Sequence, residues 1–266
     1  MIASNTALEY QITSAAMLTE MKDAHTKLWN SPAALRQWMG ERTAPARIQY
    51  VEGKPMVIQL DSNFLVTSGL QVGDIILEKN GKTIKEIQDS VFYLISSPNA
   101  AVIAREMASV VLRSNRNSDT FLIDRKGKTL KVELASIKQG ELKIAQDTVA
   151  VKYLADGIAY LNQGYLTKKI LKEHEAQLRL SKAIVIDCRN YPKEFLVFVL
   201  TLELLSYPTP FVKFSATSYQ QLGVFPITKA LTVGALNSKA FAGKVAILLN
   251  ENSQSGHFHT LSSGKM

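Results

Sequence analysis

Cysteine occurs once in the 266 residues, as Cys188, and histidine four times. One thiol closes no internal disulfide, so the fold rests on non-covalent packing. Cys188 closely follows the apolar run 183–186, which predicts a buried, inert thiol. Metal-ligand spacing is equally scarce. His257 and His259 form a single His-x-His pair, a weak signal, and neither a metal site nor a cofactor is expected. Long apolar runs are missing too. The most apolar stretch, 195–205, contains Glu203 and is too short to span a bilayer. Residues 1–22 have no basic start followed by an apolar block. The chain therefore reads as soluble, with no transmembrane segment and no signal peptide, so that any export signal would lie on a longer precursor.

What is present is an ordinary globular composition. Hydrophobic residues make up 46% and charged residues 20%, which argues against global disorder, and the length allows two domains. Lysine and arginine outnumber aspartate and glutamate by 31 to 23, for a net charge of +8. The positive charge is spread along the chain. Its densest clusters, 79–85 and 125–131, read as solvated strand-and-turn faces. No arginine-rich groove is interleaved with aromatics, so nucleic acid is not an expected partner.

Residues 6–40 read as helical, with Leu8, Ile12, Ala15 and Ala16 at helical spacing. Within them Ser31 suits an N-cap and Pro32 a first helical position for a short helix to Met39, stopped by Gly40. Strands are expected at 47–51 and 56–60 around a Glu52-Gly53 turn, and at 120–124 and 129–135 around Lys126-Gly127. Asn80-Gly81 marks a further hairpin. A helix is expected over 100–112. From 148 onward elements alternate: strand 158–161, amphipathic helix 168–180, buried strand 183–187, helix 194–205, strand 211–214 and buried strand 244–250. That pattern predicts an α/β core within an α+β whole, with 136–147 as the linker.

Four stretches carry a resemblance. Ser68-Gly69-Leu70-Gln71-Val72-Gly73-Asp74-Ile75-Ile76-Leu77, followed by Asn80-Gly81-Lys82, resembles the PDZ signature. A PDZ domain binds an extended peptide by strand addition, often at its terminal carboxylate. Beside an α/β core, that module is similar to the tail-specific (C-terminal-processing) serine protease family. Gly157 to Leu161, Lys182 to Asn190 and Lys244 to Ser255 match that family's motifs in order, so the resemblance covers about residues 15–255. It implies an N-terminal helical segment (1–45) contributing to the core, a PDZ-like domain (46–137), and an incomplete ClpP/crotonase-like catalytic core (148–266).

The resemblance also implies chemistry. Ser255 stands at the nucleophile position, after a buried strand and a polar turn, although the same geometry would permit a helix N-cap. Met21-Lys22-Asp23-Ala24-His25-Thr26 resembles the "L-x-D-x-H-t" motif of the tricorn-core-like branch, which makes His25 the candidate base and Asp23 a possible ring holder. A helix-terminal histidine capping carbonyls is the bland alternative. Backbone N–H groups of Gly256 and Lys193 are the candidate oxyanion donors, Pro192 having none to offer. Asp187 and Arg189 read as residues that end a strand and brace its turn, and Ser253 as a turn or cap residue. Lys265 is not assigned as a base. The function implied is a serine endopeptidase of the cell envelope or periplasm, forming an acyl-enzyme on substrates whose C-termini the PDZ-like domain recognises. The alternatives are an inactive peptide-binding PDZ protein and a remnant with no activity. The pattern breaks after Ser255 and the sequence ends at Met266, so a truncated product, poorly active or inactive alone, is expected.

Overall fold

The first helix, α1 (Ala7–Thr19), begins where Thr6 and Glu9 form a reciprocal capping box. The structure, a computed structural model, describes residues 5–28, 32–64, 69–97 and 99–253. The chain divides into two units, Met1–Gln146 and Asp147–Met266.

In the first unit the expected helical run 6–40 is interrupted. Lys22 takes a left-handed backbone (φ 50), and helix resumes only at α2 (Ala33–Met39). Pro32 occupies the N-cap of α2 instead of its first turn, and Ser31 lies outside the described residues. There follow β1 (Arg42–Thr43), β2 (Ala46–Val51), β3 (Lys54–Leu60), β4 (Ile75–Lys79), β5 (Lys82–Thr83), α3 (Ile84–Asp89), α4 (Ala100–Leu112), β6 (Arg113–Ser114), β7 (Ser118–Arg125), β8 (Lys128–Ala135) and β9 (Ile137–Lys138). The main sheet runs β2-β3-β4-β7-β8, with β5 on β4, and all its pairs are antiparallel. Glu52-Gly53, Asn80-Gly81 and Lys126-Gly127 all have positive φ at both residues, the backbone of tight hairpin turns that matches strand twist. Alternation on β7 buries Phe121 and Ile123 in a core with Val57, Ile76, Val111 and Leu134.

The expected linker starts inside this unit. Ser136 is buried with its Oγ on Asp119 at 2.9 Å, and β9 pairs with β1 in a small β6-β1-β9 sheet. Asp119 also accepts from Asn80 and Ser114 and faces the buried Lys79.

The second unit contains β10 (Val151–Leu154), β11 (Ile158–Asn162), α5 (Lys168–Leu180), β12 (Ala183–Asp187), α6 (Val197–Leu204), β13 (Thr209–Val212), β14 (Leu231–Val233) and β15 (Lys244–Leu248). Its sheet runs β10-β11-β12-β15. The β11–β12 and β12–β15 pairs are parallel, and β10 joins antiparallel at one edge. β13 and β14 form a separate hairpin-like pair. Leu171 and Leu178 of α5 and Leu200 of α6 pack on Ala159, Leu161, Ile184 and Ile186 of the strands. α6 starts later than position 194, with Leu196 at its N-cap, and the Glu194 carboxylate accepts the Lys168 N–H at 2.9 Å, in the first turn of α5. The architecture is thus α+β overall, with a parallel α/β core in the second unit. No helix among the described residues is long and apolar enough to cross a membrane.

Candidate active site

Parallel strands deliver their C-terminal ends to one edge of a sheet, where loops are free to build a site. Here β11, β12 and β15 end together: Asn162 pairs with Asp187, and Asp187 with Leu248. Beyond the strands the ladder continues through Gln163 N–H to the Asp187 carbonyl at 3.0 Å and Cys188 N–H to the Leu248 carbonyl at 3.0 Å. Three loops therefore leave this edge from fixed starting points.

Asp187 organises the middle loop. Its buried carboxylate accepts from the Arg189 backbone N–H at 2.9 Å and Nε at 2.9 Å, from the Arg189 guanidinium terminus at 2.7 Å, and from the Tyr160 hydroxyl. Burial alone would raise its pKa. The bonds from Arg189 and Tyr160 outweigh burial and hold it below the ordinary carboxylate value. The same contacts raise Arg189, whose main cause is its bond to Asp187. Tyr160 is pushed up to about 12, by burial first and then by the neighbouring carboxylate. These groups remain an anion, a cation and a neutral phenol across neutral pH, as suits a brace for a turn. Cys188 beside them is buried, and burial pushes its thiol up to about 12.

The last loop is clasped to the middle one. Ser253 Oγ donates to the Cys188 carbonyl at 2.8 Å and accepts the Asn250 N–H at 3.1 Å, while Ser253 N–H returns to the Asn250 carbonyl at 3.0 Å. This turn begins just after β15. The first loop approaches the middle one closely, since a Cβ on Gly164 would lie 2.6 Å from Asn190 Cβ. Asn162 braces the first loop, its Oδ1 accepting the Gly164 N–H at 3.1 Å. Sequence reasoning passed over Tyr160, Asn162 and Asn250. A polar residue at the end of an apolar run was the signal for Asn162 and Asn250, whereas Tyr160 lies within β11.

Of the expected site residues, Ser255 and Gly256 lie outside the described residues, as do His257, His259 and Lys265. Lys193 is placed on the middle loop, but its N–H donates to the Gln163 carbonyl at 2.9 Å and is therefore engaged within the fold. His25 belongs to the first unit, whereas β15 and its turn belong to the second. His25 is half exposed. Its backbone N–H and Nδ1 both meet Asp23 Oδ1, at 2.9 and 3.0 Å. The bond from the His25 N–H is the main reason that the Asp23 carboxyl lies below its ordinary value. Among the described residues no three His, Cys, Asp or Glu side chains gather as metal ligands.

The second unit holds a mostly parallel sheet with α5 and α6 packed on it and a clasped loop edge, and the first unit a six-stranded antiparallel sheet. Solved structures of CPAF share this fold. Mature CPAF matches with a TM-score of 0.61 and 12% identity, over 96% of this chain and 71% of that one. Mature CPAF complexed with lactacystin matches at 0.54 and 14%, over 80% and 52%. A serine-to-alanine mutant of CPAF matches at 0.57 and 13%, over 82% and 54%. The chain thus spans about half the length of two of these structures. Identities this low concern the fold. No protein-family model and no curated protein matches the sequence.

Proposed function

We propose that this chain carries the machinery of a serine-type endopeptidase of the tail-specific kind, with Ser255 as nucleophile and His25 as general base. The observation that carries the reading is the clasped turn after β15. Ser253 ties it to the end of β12, two residues before Ser255, at the loop edge of a parallel sheet. In the proposed reaction the Ser255 hydroxyl oxygen attacks the peptide carbonyl carbon and its proton passes to His25. The tetrahedral oxyanion takes the Gly256 N–H, and the amine departs with the proton from His25. Water then hydrolyses the ester by the same route in reverse. Lys193 joins as a second oxyanion donor only if its N–H leaves the Gln163 carbonyl.

Substrate recognition is proposed for the first unit. β2 is an edge of the main sheet, and α4 packs against it. An extended C-terminal segment of a peptide or protein could add to that edge, the mode expected of a PDZ-like module. The second reading, a non-catalytic peptide binder, draws its support from the engaged Lys193 N–H.

A fluorophosphonate separates the two, because only an activated hydroxyl reacts. The peptidase reading expects label on Ser255, blocked by lactacystin (the compound bound to CPAF) and lost in Ser255→Ala. An unlabelled Ser255, together with a peptide that binds better with a free than with an amidated C-terminus, would favour the binding module.

A further inference from the structure

The turn that carries His25 is held by a residue far away in sequence. After α1 ends, the left-handed Lys22 reverses the chain, and the Thr26 N–H closes a tight loop on the Asp23 carbonyl at 3.0 Å. The side chains of Asp23 and His25 are 55% and 52% exposed, so burial contributes little to holding them. Ser96, just beyond the short 3-10 turn Phe92–Leu94, holds the loop instead. The Asp23 N–H donates to Ser96 Oγ at 3.2 Å, and the same hydroxyl donates to the Asp23 carbonyl at 2.7 Å. A hydroxyl has one proton and two lone pairs, so one side chain satisfies both backbone groups of Asp23 at once.

With its backbone fixed, Asp23 presents Oδ1 to the His25 ring at 3.0 Å. A carboxylate only accepts, so Nδ1 carries a proton, and whenever the ring is neutral the lone pair is on Nε2. That is the tautomer a general base needs.

We propose that Ser96 is a positioning residue for His25: it clasps both backbone groups of Asp23 and thereby fixes the carboxylate that sets the tautomer and direction of the ring. The inference rests on His25 being the base and adds a residue, 73 positions from Asp23, that no motif pointed to.

The test compares full-length protein labelled with 15N-histidine as wild type, Ser96→Ala and Ser96→Thr, with His25 resonances assigned by their loss in His25→Gln. The wild type is expected to show a protonated Nδ1 and an unprotonated Nε2. Ser96→Ala is expected to show a tautomer-averaged ring, and Ser96→Thr, which keeps the hydroxyl, the wild-type pattern. His174, hydrogen-bonded to Tyr153 at 3.1 Å, is the internal control and should not move. Labelling of Ser255 by fluorophosphonate should slow about fivefold in Ser96→Ala, the rate equivalent of one lost hydrogen bond, and recover in Ser96→Thr. A His25 ring unchanged in Ser96→Ala overturns the proposal, as does an equal disturbance of His174. If Ser255 takes no label even in the wild type, the peptidase reading fails, while the ring spectra still decide the clasp by themselves.

Discussion

Arg189 shows how one side chain can hold a loop through a buried partner. Its side chain is 49% exposed, but the Asp187 carboxylate it covers is only 2% exposed. Removing the guanidinium strands a buried anion, which is worse than losing a surface ion pair. Arg189→Met should therefore destabilise the protein by about 1–2 kcal/mol, discounted for the exposure of the arginine. The pH dependence has a definite sign. The folded pKa of Asp187 lies below the ordinary value of 3.8, so its contribution is complete above that value and is lost as pH falls through the lower folded one. The gap in urea midpoint between wild type and Arg189→Met should be full at neutral pH and narrow in acid below 3.8. A gap independent of pH would show that the arginine acts by packing alone. The neighbouring thiol gives a second outcome. Cys188, buried and pushed up to about 12, should resist iodoacetamide at mildly alkaline pH in the native protein and react once it is denatured, as mass spectrometry would show.

Among the elements, α5 links sequence cues most directly to the site, because it follows the loop after β11. Thr167 Oγ1 accepts the Ile170 N–H at 3.2 Å, and the Glu194 carboxylate accepts the Lys168 N–H at 2.9 Å, so two of the free donors at the helix start are covered. Thr167→Ala should cost about 1 kcal/mol, read as a lower melting temperature. The helix itself was legible: the amphipathic pattern of the sequence outlines 168–180, and β12 and α4 likewise run over the expected residues. The three tight hairpins were legible for a chemical reason, since Gly follows each left-handed residue. β1, β6 and β9 were not, because two-residue strands have no period to detect. The interruption after Thr19 escaped for the opposite reason. Residues 20–28 contain neither Gly nor Pro, the strongest local breakers, and the reversal rests on Lys22 and on Ser96 across the fold.

At the scale of the molecule, the boundary between the units falls in residues 142–149, which have no regular secondary structure and are mostly exposed. Lys143 still belongs to the first unit, its N–H on Asp61 at 2.5 Å and its carbonyl accepting the Ser62 N–H at 3.1 Å. Limited proteolysis should therefore cut first between 144 and 149, and mass spectrometry should find two fragments that persist while other sites remain protected. Early cuts inside β7 or β12 would contradict this division.

Local information in the chain was enough for the alternation of elements, the turn chemistry, the buried cysteine and the strand that leads towards Ser255. Each follows from short-range sterics or from a periodicity that one element carries by itself. The partners were settled only by folding. β10 lies antiparallel on β11, Ser253 reaches the Cys188 carbonyl across 65 positions, and the Lys193 N–H turns to Gln163. A backbone N–H or a hydroxyl has the same identity in the sequence whichever acceptor it meets. Its partner is chosen by which chain segments the two cores bring within hydrogen-bond reach, and that choice is non-local.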